Sequence, residues 1–309
     1  MPTRAPGTRT RAVTVGHARR VDPTTGSDRT PSRAASRAPL AASRRVVLAG
    51  AAGWLLSACE PKNLSHEAPS RRPDAAASTA AAAADLIPHV DLPGLPAPVA
   101  PTPGVCPQIP VRQVAGQPQH YLACAGTTIA LTVDDGPDPQ WTPRMLALLD
   151  RYRIKATFSV IGRQAAAHPD LVREVARAGH IVANHTYTHP DLQRLSPAAV
   201  EREVVRASDA IEKATGTRPT LFRAPGGAWS REVLARCTRE GLRPLGWSVD
   251  PRDWSRPGTR HIAETILTQT RPGSIILEHD GGGDRHQTLE ALSVVLPKLL
   301  DAGYRFGSP

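Results

Sequence analysis

Ile129-Ala130-Leu131-Thr132-Val133-Asp134-Asp135-Gly136-Pro137 is the stretch that decides the fold class of this chain. Five apolar or β-forming residues run straight into two aspartates and a Gly-Pro turn, and a helical pattern follows over Pro143–Tyr152. A strand without polar alternation is one buried on both faces, as in a parallel sheet covered by helices. The same texture repeats to the C-terminus. Strands are expected at Ala156–Val160, His180–Ala183, Leu221–Phe222, Leu245–Val249, Ser274–Leu277 and Tyr304–Phe306. Between them, helical patterns cover Pro169–Ala178, Ser230–Glu240, Arg260–Thr270 and Thr288–Ala302. A longer one runs to Thr215 from Ser196-Pro197, a good N-cap followed by a first-turn proline. This series predicts an α/β fold: one closed or nearly closed barrel of about seven parallel strands, not two domains.

Upstream of the barrel the texture changes twice. Ten Arg, no Lys and two Asp precede Cys59, a local balance of +8 out of the +10 carried by all 309 residues. The rest of the chain is close to neutral, so the basic pI gives no support to nucleic-acid binding. Ser43-Arg44-Arg45 stands directly before the apolar run Val46 to Ala58, too short to cross a bilayer but suited to an export signal. The run ends in Leu56-Ser57-Ala58-Cys59, which resembles the lipobox of bacterial lipoproteins. Residues 1–58 therefore read as a structureless N-terminus and twin-arginine lipoprotein signal, with Cys59 as the lipidation site. Residues 59–104, rich in Pro and Ala, read as a tether, and 105–309 as the folded domain. In an exported protein Cys106 and Cys124 are the expected disulfide, and Cys237 a buried free thiol. The expected location is the outer face of the cytoplasmic membrane, with secretion as the alternative.

One regularity points to function. Asp134 and Asp135 follow the first strand, and His185 and His189 the third. Arg223 ends the fourth, Asp250 and Asp253 follow the fifth, and His279 follows the sixth. In a parallel barrel all these strand ends share one rim, where active sites are built.

Asp-Asp-Gly-Pro in isolation is also an ordinary capped turn. His185 and His189, four residues apart, are a pair that can grip one divalent ion. Two imidazoles and one carboxylate leave coordination positions open, as a catalytic site requires. Gly281-Gly282-Gly283-Asp284 lacks the Lys and Ser/Thr of a phosphate loop and is expected to be a flexible rim loop. His168, His180 and His261 are expected at the surface or at helix ends, and no serine sits in a nucleophile elbow.

Five ordered segments then carry a resemblance. Thr132-Val133-Asp134-Asp135-Gly136-Pro137, His185-Thr186-Tyr187-Thr188-His189, Arg223-Ala224-Pro225-Gly226-Gly227, Asp250-Pro251-Arg252-Asp253-Trp254 and Leu277-Glu278-His279 are similar to the motifs of the polysaccharide deacetylase family, carbohydrate esterase family four. The resemblance covers about Ile129–Phe306 and implies a distorted (β/α) barrel. It also implies a divalent metal, usually zinc though cobalt or another ion is possible, held by Asp135, His185 and His189. By the same resemblance Asp134 is the general base, oriented by Arg223, and His279 the acid, tuned by Asp253. Leu277 and Trp254 wall the acetyl pocket, Pro225 and Gly226 contact substrate, and the Gly226 N–H faces the developing oxyanion. Such chemistry needs these parts: an amide carbonyl is a poor electrophile, and an amine leaves only when protonated.

Two positions depart from the family pattern. Val133 replaces an aromatic before the aspartates, and Gly226 replaces a Tyr or Phe, which removes one wall of the substrate groove. The expected substrate is an N-acetylated glycan, peptidoglycan ahead of chitin-type oligomers, turned over by a monomer. The alternatives are an O-acetyl esterase on xylan and a catalytically silent wall-binding lipoprotein.

Overall fold

In the computed structural model, which describes residues 90–101, 116–123 and 126–309, strand β1 (Thr128–Asp134) sorts its side chains by parity. Ile129, Leu131 and Val133 join the main apolar cluster, whereas Ala130 belongs to a separate small cluster on the other face. Successive strand residues point to opposite faces, so Thr132 and Asp134 share the side of Ala130. β2 (Thr157–Val160) repeats the pattern, with Phe158 and Val160 in the main cluster and Thr157 and Ser159 opposite them. The outward face is apolar and helix-covered; the inward face is small and polar.

The remaining strands are β3 (Ile181–Asn184), β4 (Leu221–Phe222), β5 (Arg243–Pro244), β6 (Ile275–His279) and β7 (Arg305–Phe306). They form one sheet in the order β5-β4-β3-β2-β1-β6, with β7 on β1 and every pairing parallel. The barrel of about seven parallel strands is present. Helices α1 (Thr142–Arg151), α2 (Gly162–Ala167), α3 (Pro169–Arg177), α4 (Pro197–Thr215), α5 (Arg231–Arg239), α6 (Thr259–Gln269) and α7 (His286–Asp301) connect the strands. Met145 and Leu148 from α1, Val172 from α3, Ile266 from α6 and Val295 and Leu299 from α7 fill the cluster against β1 and β2. Ser196 caps α4 as expected, its hydroxyl accepting from the Ala199 N–H. Cys237 is a buried free thiol, and burial pushes its pKa up to about 12.

The small inward residues of β1 and β2 leave room for the Arg223 side chain, next to an apolar group that includes Leu221, Leu245 and Ile275. Arg223 is fully buried. Its Nη1 donates to Asp134 Oδ1 at 2.7 Å and Thr132 Oγ1 at 2.8 Å. Nη2 donates to the Gly246 carbonyl at 2.8 Å, and Nε to that of Leu245 at 3.4 Å. This arrangement corrects the expected fifth strand, Leu245–Val249. Its regular part is Arg243–Pro244, because the next two carbonyls turn toward the guanidinium. Val249 returns only as an isolated parallel bridge to Ile276. The gap between β5 and β6 is closed by residues 119–122, where Gln119 bonds Pro244 and Gly246, and Leu122 bonds Gly273. Irregular backbone completes the ring, which is the distortion.

Three further differences stand out. α2 was not expected from its Gly-Arg-Gln-Ala-Ala-Ala sequence, too short for a periodic signal. Residues 90–101, placed in the tether by composition, lie against the domain. Leu92 and Leu95 pack on the main cluster, Tyr304 donates to the Val99 carbonyl, and Arg260 donates to that of Pro93. His180, expected at the surface or a helix end, follows the end of α3 but is buried: its Nδ1 accepts from the Ala156 N–H, and burial with nearby Lys155 drives its pKa down to about 4. The signal, Cys59, Cys106 and Cys124 lie outside the described residues.

Removing one partner of a buried ion pair leaves the other charge without compensation. Arg223→Met should therefore destabilise the domain by about 3–5 kcal/mol, read as a shift in the urea midpoint. Adding Asp134→Asn should recover much of that loss; a double variant as unstable as the single one would contradict the pairing.

Candidate active site

Asp134 ends β1, and Asp135 turns the chain out of the sheet with φ 76°. Left-handed backbone is uncommon outside glycine, though Asp and His are among the residues that adopt it. The turn separates the two carboxylates. Asp134 points into the lumen onto Arg223, while Asp135 faces the loop that follows β3.

That loop carries His185 and His189, with Thr186 at φ 65° and His189 at φ 62°. Strained backbone of this kind persists only where neighbours hold it, and here the holders are identifiable. Asn184 Oδ1 accepts from the Thr186 N–H. Glu203 on α4 accepts from the Tyr187 and Thr188 N–H groups and from the Thr188 hydroxyl. The first N–H groups of α2 donate to the Thr186 and Tyr187 carbonyls. The Thr186 hydroxyl accepts from the His189 N–H.

The outcome is a compact donor set. One ligand atom each from Asp135, His185 and His189 lies within 4.8 Å of the other two. Asp135 Oδ1 is 3.4 Å from His185 Nε2 and 3.2 Å from His189 Nε2. It is buried and makes no hydrogen bond among the described residues. His185 Nδ1 donates to the Arg223 carbonyl at 2.8 Å, which leaves the Nε2 lone pair facing Asp135. Burial alone would raise the Asp135 pKa, but the imidazoles of His185, His279 and His189 outweigh it and hold the carboxyl far below the ordinary carboxylate range. Burial would lower the His185 pKa, yet Asp134 and Asp135 raise it. The pocket attracts positive charge, and two imidazole nitrogens with one carboxylate oxygen suit a divalent cation.

Opposite this group stands His279 at the end of β6. Asp253 holds it twice, through Nδ1 at 2.6 Å and through its backbone N–H at 3.0 Å, and the Thr288 hydroxyl donates to the same carboxylate. Burial would lower the His279 pKa, but the Asp253 bond and charge, reinforced by Asp134 and Asp135, push it up to about 8. A cavity of about 370 Å³ joins the two groups, walled by Leu277, Trp254 and Gly226 and open to Asp134, Asp135, His185, His189 and His279. Pro225 lies just beyond, in an adjoining groove. The structure thus brings together every rim residue singled out in the sequence.

Known proteins resemble this geometry and this sequence. The sequence profile of the polysaccharide deacetylase family matches residues 124–245. A chitooligosaccharide deacetylase of Rhizobium leguminosarum bv. trifolii is 45% identical over 191 residues, 58% of this chain and 89% of the relative. The chain belongs to the polysaccharide deacetylase family. A peptidoglycan-N-acetylglucosamine deacetylase of Bacillus cereus is 41% identical over 180 residues, 58% of this chain and 84% of that one. The crystal structure of the Bc1960 peptidoglycan N-acetylglucosamine deacetylase superposes with a TM-score of 0.59 at 31% identity, covering 61% of this chain and 88% of that one.

Several parts of this polysaccharide deacetylase site had no sequence signal. Trp247, Gly282 and Arg285 also line the cavity. Arg285 is buried, with Nε donating to the Gly281 carbonyl. The glycine-rich segment is only partly a rim loop. A Cβ on Gly281 would collide with the Asp135 carbonyl oxygen, so this residue is a packed contact with the turn that carries Asp134 and Asp135. Asp280 secures the same turn, its N–H donating to the Asp134 carbonyl and its carboxyl accepting from Thr142. Burial pushes the Asp280 pKa up to about 7. On the helix side of β6, Glu278 is wholly buried, and burial with the nearby Asp253 charge holds its pKa well above the ordinary value.

Glu203 touches no ligand atom but holds the backbone between the two histidines. If the donor set of Asp135, His185 and His189 holds zinc, Glu203→Ala should weaken its retention by about 10- to 100-fold, as loss of such a support does at metal sites, measured by competition with a chromogenic chelator. Unchanged affinity would refute the support role. If protonated His279 is required for turnover, the rate should fall as pH rises through about 8. Asp253→Asn should move that alkaline limb toward acid, because burial is then opposed only by the smaller pull of Asp134 and Asp135. A limb that stays in place in the variant would detach His279 from it.

Proposed function

We propose that this chain removes acetyl groups from N-acetylated glycans, using a divalent cation held by Asp135, His185 and His189. The observation that carries the reading is the buried Asp135 oxygen without a hydrogen bond, facing two imidazole nitrogens at 3.2 and 3.4 Å. A cation bound there would polarise the acetyl carbonyl and make a water molecule a better nucleophile near neutral pH.

The protein's own groups supply the rest. Asp134 is the proton acceptor for the attacking water. Arg223 occupies its Oδ1, which leaves Oδ2 toward the reacting water. The Gly226 N–H, which makes no hydrogen bond among the described residues, is the donor to the carbonyl oxygen as it gains charge. Leu277 and Trp254 flank the acetyl group. As the C–N bond breaks, His279 Nε2 passes its proton to the nitrogen, and Asp253 stabilises the imidazolium until then. Acetate and a free amine leave, and proton exchange with solvent resets Asp134 and His279.

The relatives act on chitooligosaccharides and on peptidoglycan by name, and the same two polymers are the proposed substrates. The paired arginines and the segment ending in Cys59 support export and lipid anchoring at the outer face of the cytoplasmic membrane. Zinc is the proposed cation, since its ligand preferences match two imidazoles and a carboxylate.

Acetate release from purified peptidoglycan and from chitooligosaccharides, with and without chelator, tests the proposal. The expected result is release that stops with chelator, returns with zinc and is absent in His185→Ala. A fully active His185→Ala would overturn the ligand assignment. Cys59→Ser should shift the protein from the membrane to the soluble fraction on cell fractionation, and a variant still attached would overturn the anchor.

A further inference from the structure

Glu278 lies on β6 between Leu277 and His279, and strand alternation turns its side chain to the opposite face from theirs. It stands in register with Val133 of β1, a member of the main apolar cluster. Glu278 is wholly buried, and neither carboxyl oxygen has a donor facing it among the described residues. Asp253 is within hydrogen-bonding reach of it, and Asp250 adds a second negative charge nearby. Arg285 is the cation that acts on it, and only through space. An ionised Glu278 would be a buried charge without a partner, a state that carboxyls avoid by keeping their proton.

A neutral carboxyl brings an O–H that needs an acceptor of its own. Two carboxyls in contact can bond only with a proton between them, and the surroundings of Asp253 decide where it sits. Asp253 Oδ1 accepts from His279 Nδ1 at 2.6 Å. Its Oδ2 accepts from the His279 N–H at 3.0 Å and from the Thr288 hydroxyl at 2.8 Å. Burial would raise the Asp253 pKa, but the His279 bond and charge, with Thr288, hold it below the ordinary value. Asp253 is thus the anion. A carboxylate offers about four acceptor positions, and these three bonds leave one for Glu278.

We propose that Glu278 is held as the neutral acid and donates a hydrogen bond to Asp253, as a positioning residue that moderates the grip of Asp253 on the His279 proton. A donor on Asp253 draws charge away from its bond to the imidazole, so His279 yields its proton more readily than Asp253 alone would allow. The hydrogen bond is independent of any substrate; its use in turnover rests on the glycan deacetylase reading above.

The test titrates His279 in the purified full chain with zinc, by NMR of histidine-labelled protein, the signal being assigned from a His279→Gln variant. Acetate release from chitotriose is followed against pH in parallel. Glu278→Leu is apolar and has no donor. It should move the His279 midpoint up by about half a unit to one unit, the share of one hydrogen bond, and the alkaline limb with it. Glu278→Gln keeps an N–H for Asp253 and should leave both near wild type. Asp134 and Asp135, the other charges acting on His279, are unchanged in both variants. A packing defect that loosened Asp253 would move the midpoint down, as Asp253→Asn does, so the upward direction identifies the bond. The proton is read separately: the infrared difference between wild type and Glu278→Gln at neutral pH should contain the C=O stretch of a carboxylic acid.

A midpoint that stays or falls in Glu278→Leu, or a Gln variant that shifts as far as Leu, would overturn the positioning role. A difference spectrum with carboxylate bands alone would overturn the neutral acid. If His279 titrates as expected but wild type releases no acetate, the hydrogen bond stands and the deacetylase reading fails.

Discussion

The ion pair between Arg223 and Asp134 inside the barrel is the contact on which the remaining geometry depends. A guanidinium stripped of water is stable only with its donors engaged and its charge met, and here a carboxylate, a hydroxyl and two carbonyls do both. Meeting those needs shapes the fold. The inward residues of β1 and β2 are small or polar, β5 ends early, and the ring closes through irregular backbone. The same residue's own carbonyl accepts from His185, so one arginine fixes Asp134 through its side chain and His185 through its main chain.

Around that strut the site divides into two halves with opposite electrostatics. Asp135 stays ionised although buried, because imidazoles surround it. His279 holds its proton although buried, because Asp253 grips it. In the proposed reaction the anionic half would hold the cation and, through Asp134, receive a proton, while the half kept cationic by Asp253 would give one.

The convergence of the proposed site residues was legible in the sequence because they follow strands, and strand ends in a parallel barrel converge. Asp134, Asp135, His185, His189, Arg223, Asp253 and His279 could be selected on that ground. What holds them was not legible. Glu203 sits on a helix face where an acidic residue is ordinarily solvated, and nothing local marks it as a clamp for a loop 15 residues upstream. Arg285 and Gly281 follow the last motif in a stretch that composition describes as loose. The fifth strand was misplaced because Leu245–Val249 has strand-like residues, while its carbonyls answer to an arginine 22 residues earlier. Side-chain demands from distant segments overrode local propensity. The tether had the same limit: a Pro-rich composition does not reveal that Leu92 and Leu95 find a core.

The packing of Gly281 on the Asp135 carbonyl, with the Asp280 N–H on that of Asp134, has a mechanical consequence. The segment that continues from His279 is braced against the turn that presents both aspartates. Asp134 and His279, the proposed proton acceptor and donor, are therefore mounted on a common frame, which sets their separation. In the proposed reaction any adjustment would fall to the sugar, which must bring its acetamide to a gap of fixed width.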